Sequence, residues 1–250
     1  MGNTIKLLLK ILGLELLIIF FFTINGIYAT LTNPSNPFMQ YIGLLPLAIG
    51  FYFYLIKTKK WRNFFSKDSL CFDKENILLW SPLLIVLTLL LIGNGGLSVT
   101  SVTDLILILG TQILIVAFIE EMVFRGFMIN ILISKGFRFA VLTSSFLFAL
   151  THSLQLLGGQ SIEDTLLQIT YAFLIGMVLS LLIVNNQSIL IAIIFHGLNN
   201  FFILTAQVEG SSVYNYVIIS VLIVHAVFLW SRAKRTNKFR IDNISEPLVK

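Results

Sequence analysis

Six polar side chains stand out because of where they lie. Glu120, Glu121 and Arg125 fall within one long apolar stretch, His152 within a second, and His196 with Asn200 within a third. A carboxylate can take a proton from water, an imidazole can handle a second one, and a neutral amide can donate to an oxygen that turns negative. Those are the groups that hydrolysis of an amide bond by water requires. An ionisable side chain at a bilayer centre costs about 2.5–3.5 kcal/mol on insertion scales, so each one needs a reason.

Helical geometry sorts these residues into pairs. In Ile119-Glu120-Glu121-Met122-Val123-Phe124-Arg125-Gly126, successive residues turn by about 100°, so the two glutamates point in different directions. Arg125 follows Glu121 by four residues, about 40° away on one face, and stands about 140° from Glu120. The spacing predicts a Glu121–Arg125 ion pair that leaves Glu120 as the carboxylate free for chemistry. A purely structural network that locks helices together is the alternative. Phe148 lies one turn before His152, where its ring can pack beside the imidazole, although a lone helical histidine is more often a packing residue. Glu120 and His152 each come out roughly 20 Å from the inner end of their stretch, so they can share a depth. His196 and Asn200 face one way, Asn199 lies slightly off that face, and Gly197 lets another backbone approach closely. His196 comes out several ångströms shallower than His152, a mismatch that residue counting leaves standing.

These residues resemble the motifs of the CPBP family (also called Abi), the CAAX-protease and bacteriocin-processing group that includes type II CAAX prenyl endopeptidases. The family pattern is Glu-Glu-x-x-x-Arg, Phe-x-x-x-His and His-x-x-x-Asn on separate transmembrane helices. Glu120-Glu121…Arg125, Phe148…His152 and His196…Asn200 match it in order, and Gly126 and Ser188-Ile189 fit as well. The resemblance covers about residues 115–205, and the eight-helix layout extends it loosely to the whole chain. It implies a membrane-embedded endopeptidase. By that analogy Glu120 and His152 orient and deprotonate the attacking water, with Glu121 beside them in the catalytic set. His196 and Asn200 bind the carbonyl oxygen as it becomes an oxyanion. The resemblance fixes no cofactor. Either none is required, the glutamate mechanism preferred here, or a divalent metal such as zinc sits in an open site of Glu120, His152 and His196. The family label metalloprotease suits the second reading, but no zincin-like His-x-x-x-His pair is present.

The elements that must position these groups are written for lipid. Of 250 residues, 57% are hydrophobic and only 12% charged, with a mean hydropathy of +0.92. A soluble domain carries about a quarter charged residues, so there is too little polar surface here to cover a water-soluble globule. Roughly 20 apolar residues span a bilayer as a helix. That rule predicts eight spans, at about 5–29, 38–56, 77–94, 104–133, 139–157, 165–184, 188–206 and 213–231. The fourth is long enough to tilt. Breakers fall between spans at Asn33-Pro34-Ser35-Asn36-Pro37, Asn94-Gly95-Gly96, Gly158-Gly159 and Glu209-Gly210-Ser211. The predicted fold is all-α, a polytopic transmembrane helical bundle forming one integral membrane domain over 1–250, with its motif-bearing core at about 104–206. The first apolar run is read as a retained helix, since it is longer than a signal-peptide core and lacks a clear small-residue cleavage site.

Charge sets an orientation. With both termini cytoplasmic, the inside segments hold Lys6 and Lys10, the cluster from Lys57 to Lys74, Lys135 and Arg138, and the cluster from Arg232 to Lys250. The outside loops then contain no Lys or Arg, and Arg125 is the one basic residue inside a span, as the positive-inside rule requires. The net charge of +5 and pI near 9.4 therefore point to topology and anionic lipid, with no nucleic-acid partner. Cys71 has no internal disulfide partner.

The expected partners are the bilayer and a peptide or lipidated-peptide substrate whose identity the sequence does not reveal, nor does it give the oligomeric state. A multi-pass protein of a bacterial plasma membrane is the expected setting. Two other classes compete: a non-catalytic bacteriocin-immunity or membrane scaffold protein, and a transporter using the same groups as a proton relay. Paired half-helices and repeat symmetry, which a transporter would show, are not evident. A scaffold has no need of Glu120, His152, His196 and Asn200 together. His225 and Glu15, the latter near Lys10, read as bland intramembrane polar residues.

Overall fold

The computed structural model describes residues 3–65, 73–98, 101–208 and 212–245. Lys67, Cys71, the Glu209-Gly210-Ser211 breaker and Lys250 lie outside the described residues, as do the side chains of Lys238 and Arg240. The described residues are almost entirely helical and contain no strand, only an isolated bridge between Leu97 and Ala206. The helices are α1 (Asn3–Thr32), α2 (Leu45–Thr58, entered through a 3-10 stretch, Met39–Leu44) and α3 (Lys74–Gly93). Next come α4 (Val102–Lys135) and α5 (Phe137–Thr151, prolonged by a 3-10 stretch, His152–Gly158). The last three are α6 (Ile162–Val184), α7 (Ile189–Leu204) and α8 (Ser212–Ser245).

Seven of these eight are long and apolar enough to cross a membrane. The eighth, α7, has 16 residues and is about 24 Å long, short of the ~30 Å hydrocarbon core. The chain is an all-α, multi-pass membrane protein, and its described residues hold seven helices of membrane-crossing length and one short apolar helix in place of eight equal ones. Helix α8 differs from expectation at its end, running past 231 to Ser245. Leaving the apolar stretch does not end the helix, because Arg and Lys are good helix formers.

Local signals account for the other boundaries. Asp73, Ser101, Ser161 and Ser188 cap α3, α4, α6 and α7, each side chain accepting a backbone N–H of the first turn. Gly96 and Gly159 both have φ of 91° where the chain turns out of α3 and out of the stretch after α5, a conformation that favours glycine. Pro82 sits inside α3, which membrane helices tolerate.

Helix α4 is the centre of the bundle. Every residue from 115 to 126 is buried. On one side it packs into an apolar cluster with α1, α2 and α5, while α3, α6 and α8 form a second cluster that α7 joins to the first. By contrast α1 exposes Leu8, Leu9, Leu12, Leu16 and Phe20, each more than half exposed, as a lipid-facing helix does. It is tied in by Asn25, whose amide donates to Gln40 O at 3.0 Å and accepts from Gly43 N at 3.0 Å.

Candidate active site

The motif-bearing part of α4 is not regular α-helix. Two π-helical stretches, Gln112–Ala117 and Met122–Met128, flank the four residues Phe118–Glu121. A π turn widens the helix and frees carbonyls from their usual partners, and such bulges recur at functional sites. Ser144 of α5 satisfies one of them, its hydroxyl donating to Phe124 O at 2.7 Å. Arg125 leaves the second π stretch and lies against Gly176 of α6, where an added Cβ would come within 3.2 Å of the guanidinium Nη2 and of the Ser145 backbone. A side chain at position 176 would take the space that Arg125 occupies.

A line of ionisable groups runs through the core. Arg125 Nη1 contacts Glu121 Oε1 at 3.1 Å, with both side chains fully buried. The guanidinium carbon stands 4.2 Å from the centre of the Phe148 ring. Arg125 Nε and Nη2 have no hydrogen-bond partner among the described residues, so the ring face is what receives that side of the cation. Glu121 Oε1 also accepts from His196 Nδ1 at 2.8 Å, and His196 Nε2 lies 3.2 Å from Glu120 Oε2. Glu120 is therefore not free, as helical spacing within α4 alone suggests: α7 inserts His196 so that its two nitrogens reach the two glutamates. A neutral imidazole has one N–H. With that hydrogen directed to Glu121, a hydrogen bond between Nε2 and Glu120 requires a second proton, on the ring or on the carboxylate.

The other histidine approaches from α5. His152 Nδ1 lies 3.1 Å from Phe148 O, which makes Nδ1 the donor and leaves Nε2 as an acceptor. The Phe148 ring stands edge-on to both imidazoles, 5.1 Å from His152 and 5.6 Å from His196, so the two histidines pack against one ring. The mismatch found by counting comes from where α7 starts. Asn185 and Ser188 are 5% and 2% exposed. Gln187 accepts from Trp80 Nε1 at 2.8 Å, and Asn185 donates to Leu229 O at 3.2 Å. The loop between α6 and α7 is sunk into the protein, and His196 is counted from a deeper origin. No hydrogen bond or ion pair joins His152 to Glu120.

Gly197 makes this docking possible. A Cβ at 197 would stand 2.5 Å from Ile113 Cγ1 and 2.9 Å from Ile113 Cα, in the first π stretch. Asn200, one turn beyond His196, donates to Gln112 Oε1 at 3.2 Å. Asn199 accepts from the Tyr171 hydroxyl of α6 at 2.6 Å. Sequence reasoning missed Gln112 and Tyr171. The polarity of Gln112 within an apolar run is a signal that could have found it, whereas nothing in the spacing of Tyr171 ties it to α7.

A cavity of about 730 Å³ opens beside these groups, and His152, His196, Asn199, Asn200 and Tyr171 are on its wall. Glu120 is 7% exposed and contacts His196 of that wall without being a wall residue itself. His225 is buried away from the cavity, and no ion pair joins Glu15 to Lys10 among the described residues. Glu120, His152 and His196 do not fit a metal centre as arranged. Both His196 nitrogens face carboxylates, His152 Nδ1 faces a carbonyl, and no group of three potential ligands converges among the described residues.

Residues 102–202 match the family model described as Type II CAAX prenyl endopeptidase Rce1-like. No curated protein and no solved structure matches the chain. The matched stretch runs through α4, α5, α6 and most of α7, and it contains Glu120-Glu121…Arg125, Phe148…His152 and His196…Asn200. That family implies CAAX-protease-type proteolysis within the membrane. The match supports a CPBP/CAAX protease assignment for residues 102–202 of this multi-pass membrane chain.

Proposed function

We propose that the protein is an endopeptidase that hydrolyses a peptide bond of a membrane-associated or lipidated peptide, using water activated by Glu120 and His152. The observation that carries this reading is the unbroken contact line Arg125–Glu121–His196–Glu120, which reaches through His196 the cavity that His152 also lines. With His196 protonated, two carboxylates balance a guanidinium and an imidazolium, and the assembly carries no net charge into lipid. Glu120 then has a carboxylate oxygen left for water, and His152 Nε2 has a lone pair for the same molecule. The water oxygen bonds to the substrate carbonyl carbon while its proton passes to Glu120. The positive charge of the His196 imidazolium and the second N–H of the Asn200 amide, the first being given to Gln112, stabilise the oxygen that becomes negative. When the carbon–nitrogen bond breaks, Glu120 returns the proton to the leaving amine. Glu121 and Arg125 hold the ring of His196 in place. No step passes through a metal, since the three possible ligands do not converge.

The charge pattern of the loops supports an orientation with the basic segments cytoplasmic. Mass spectrometry of small peptides from cells carrying the wild-type protein or Glu120→Ala tests the proposal. Fragments present with the wild type and missing with the variant are expected. Full biological function of the Glu120→Ala protein would transfer the reading to a non-catalytic immunity or scaffold protein.

A further inference from the structure

Apart from His152, His196 and Tyr171, the polar side chains of the cavity wall are neutral amides. Gln155 comes from the 3-10 stretch after α5, Gln168 and Tyr171 from α6, and Asn199 and Asn200 from α7, with Gln160 in the loop between. Among the described wall residues there is no Lys, Arg, Asp or Glu. Several of these amides are held in place with one group left over. Gln160 Nε2 donates to Gln168 Oε1 at 3.1 Å, which leaves Gln168 Nε2 without an assigned acceptor. The Tyr171 hydroxyl donates to Asn199 Oδ1 at 2.6 Å, which leaves Asn199 Nδ2. Asn200 Nδ2 donates to Gln112, which leaves Asn200 Oδ1 as an acceptor. Donors and acceptors are thus set side by side next to His152 and His196.

A peptide bond inside a helix is shielded, so a substrate must unwind where it is cut. Unwinding in lipid strips the backbone N–H and C=O groups of their partners, which nothing in the bilayer replaces. An amide side chain offers one donor group and one acceptor, the same pair that a backbone unit needs. A charged side chain or a free terminal carboxylate would find no uncommitted counter-charge in this cavity, because Arg125 is sealed behind the Phe148 ring and bonded to Glu121, and His196 is held between Glu120 and Glu121.

We infer that the cavity receives an unwound, uncharged stretch of peptide and holds its backbone through Gln168, Asn199 and Asn200, so that the bond cut lies inside a chain and away from a charged terminus. This rests on the peptidase reading and adds the substrate class. The test uses the full-length Glu120→Gln protein in nanodiscs, which binds without turnover. The probes are dye-labelled, N-myristoylated ten-residue peptides with amidated C-termini, whose central six residues are neutral, contain two Asp or contain two Lys. A fourth is the neutral peptide cut short to end in a free carboxylate at its centre. The neutral internal peptide is expected to bind, and the three charged ones at least about 100-fold more weakly. Gln168→Leu and Asn199→Leu are each expected to weaken the neutral peptide roughly five-fold. Gln168→Lys is expected to shift preference toward the Asp peptide, and Gln168→Glu toward the Lys peptide, a gain that a misfolded variant does not give. Equal binding of neutral and charged peptides, no binding of any peptide, or an unchanged preference in both charged variants overturns the inference. Loss of the peptidase reading shows separately, as an absence of Glu120-dependent fragments in cells whatever the binding results.

Discussion

Gly197→Ala tests whether the site depends on how closely α7 sits against α4. The new Cβ would stand 2.5 Å from Ile113 Cγ1, 2.9 Å from Ile113 Cα and 3.1 Å from Ile113 N. The Cγ1 atom can turn aside, but the backbone cannot. Carbon atoms pack at about 3.5–4.0 Å, so the seam must open by roughly 0.6–1.1 Å. His196 is the adjacent residue, and its contacts of 2.8 Å to Glu121 and 3.2 Å to Glu120 have little slack. An opening of that size takes both beyond good hydrogen-bond geometry. The expected cost is about 1–3 kcal/mol in stability from overpacking. A misplacement near 1 Å lowers a rate by roughly 10²-fold. The assay is hydrolysis of a fluorogenic peptide cleaved by the wild-type protein in nanodiscs, with thermal unfolding measured alongside. Gly110→Ala is the control, since nothing lies within 4 Å of its new Cβ. Full activity of Gly197→Ala would refute the claim that this close approach positions His196.

Three further outcomes are expected. Glu121 holds both Arg125 and His196, so Glu121→Gln leaves a buried cation without its carboxylate and should lower stability by about 3–5 kcal/mol. Glu120→Gln loses one contact and should lower it by only about 1–3 kcal/mol, so equal losses in thermal unfolding would remove the distinction between the two glutamates. Removing one oxyanion donor costs about 10²–10³ in rate; Asn200→Ala should keep measurable turnover where Glu120→Ala shows none, and a chelator should leave wild-type turnover unchanged. In a Cys71→Ser background, a cysteine at position 36 should react with an impermeant thiol reagent in intact cells and one at position 59 should not, and the reverse pattern would contradict the cytoplasmic placement of the termini.

Much of the site could be read from spacing, because the relevant contacts are local. Glu121 and Arg125, and Phe148 and His152, are four residues apart, and their contacts of 3.1 Å and 5.1 Å need only a helical backbone. The close approach at Gly197 follows from a missing side chain. Long apolar runs reveal spans for the same reason, since burial in lipid depends on composition alone. Contacts between helices were not legible. Nothing in residues 112–128 marks the two π stretches, which depend on partners such as Ser144 for the carbonyls they release. The engagement of Glu120 by His196 depends on how deep α7 begins. That depth is set by Trp80 and Leu229, which hold the loop from residues 107 and 44 positions away in sequence. The amide wall was equally hidden, as Gln168 and Asn199 are ordinary residues until α6 and α7 face each other across the cavity.

The central claim is that Glu120 drives attack of water on a peptide bond. The direct measurement is hydrolysis by the purified full-length protein in heavy-oxygen water, with the products weighed by mass spectrometry. The wild-type protein is expected to yield a new C-terminus carrying one heavy oxygen atom, and Glu120→Ala to yield none above background. Unlabelled product from the wild type, or equal labelled product from Glu120→Ala, would contradict it.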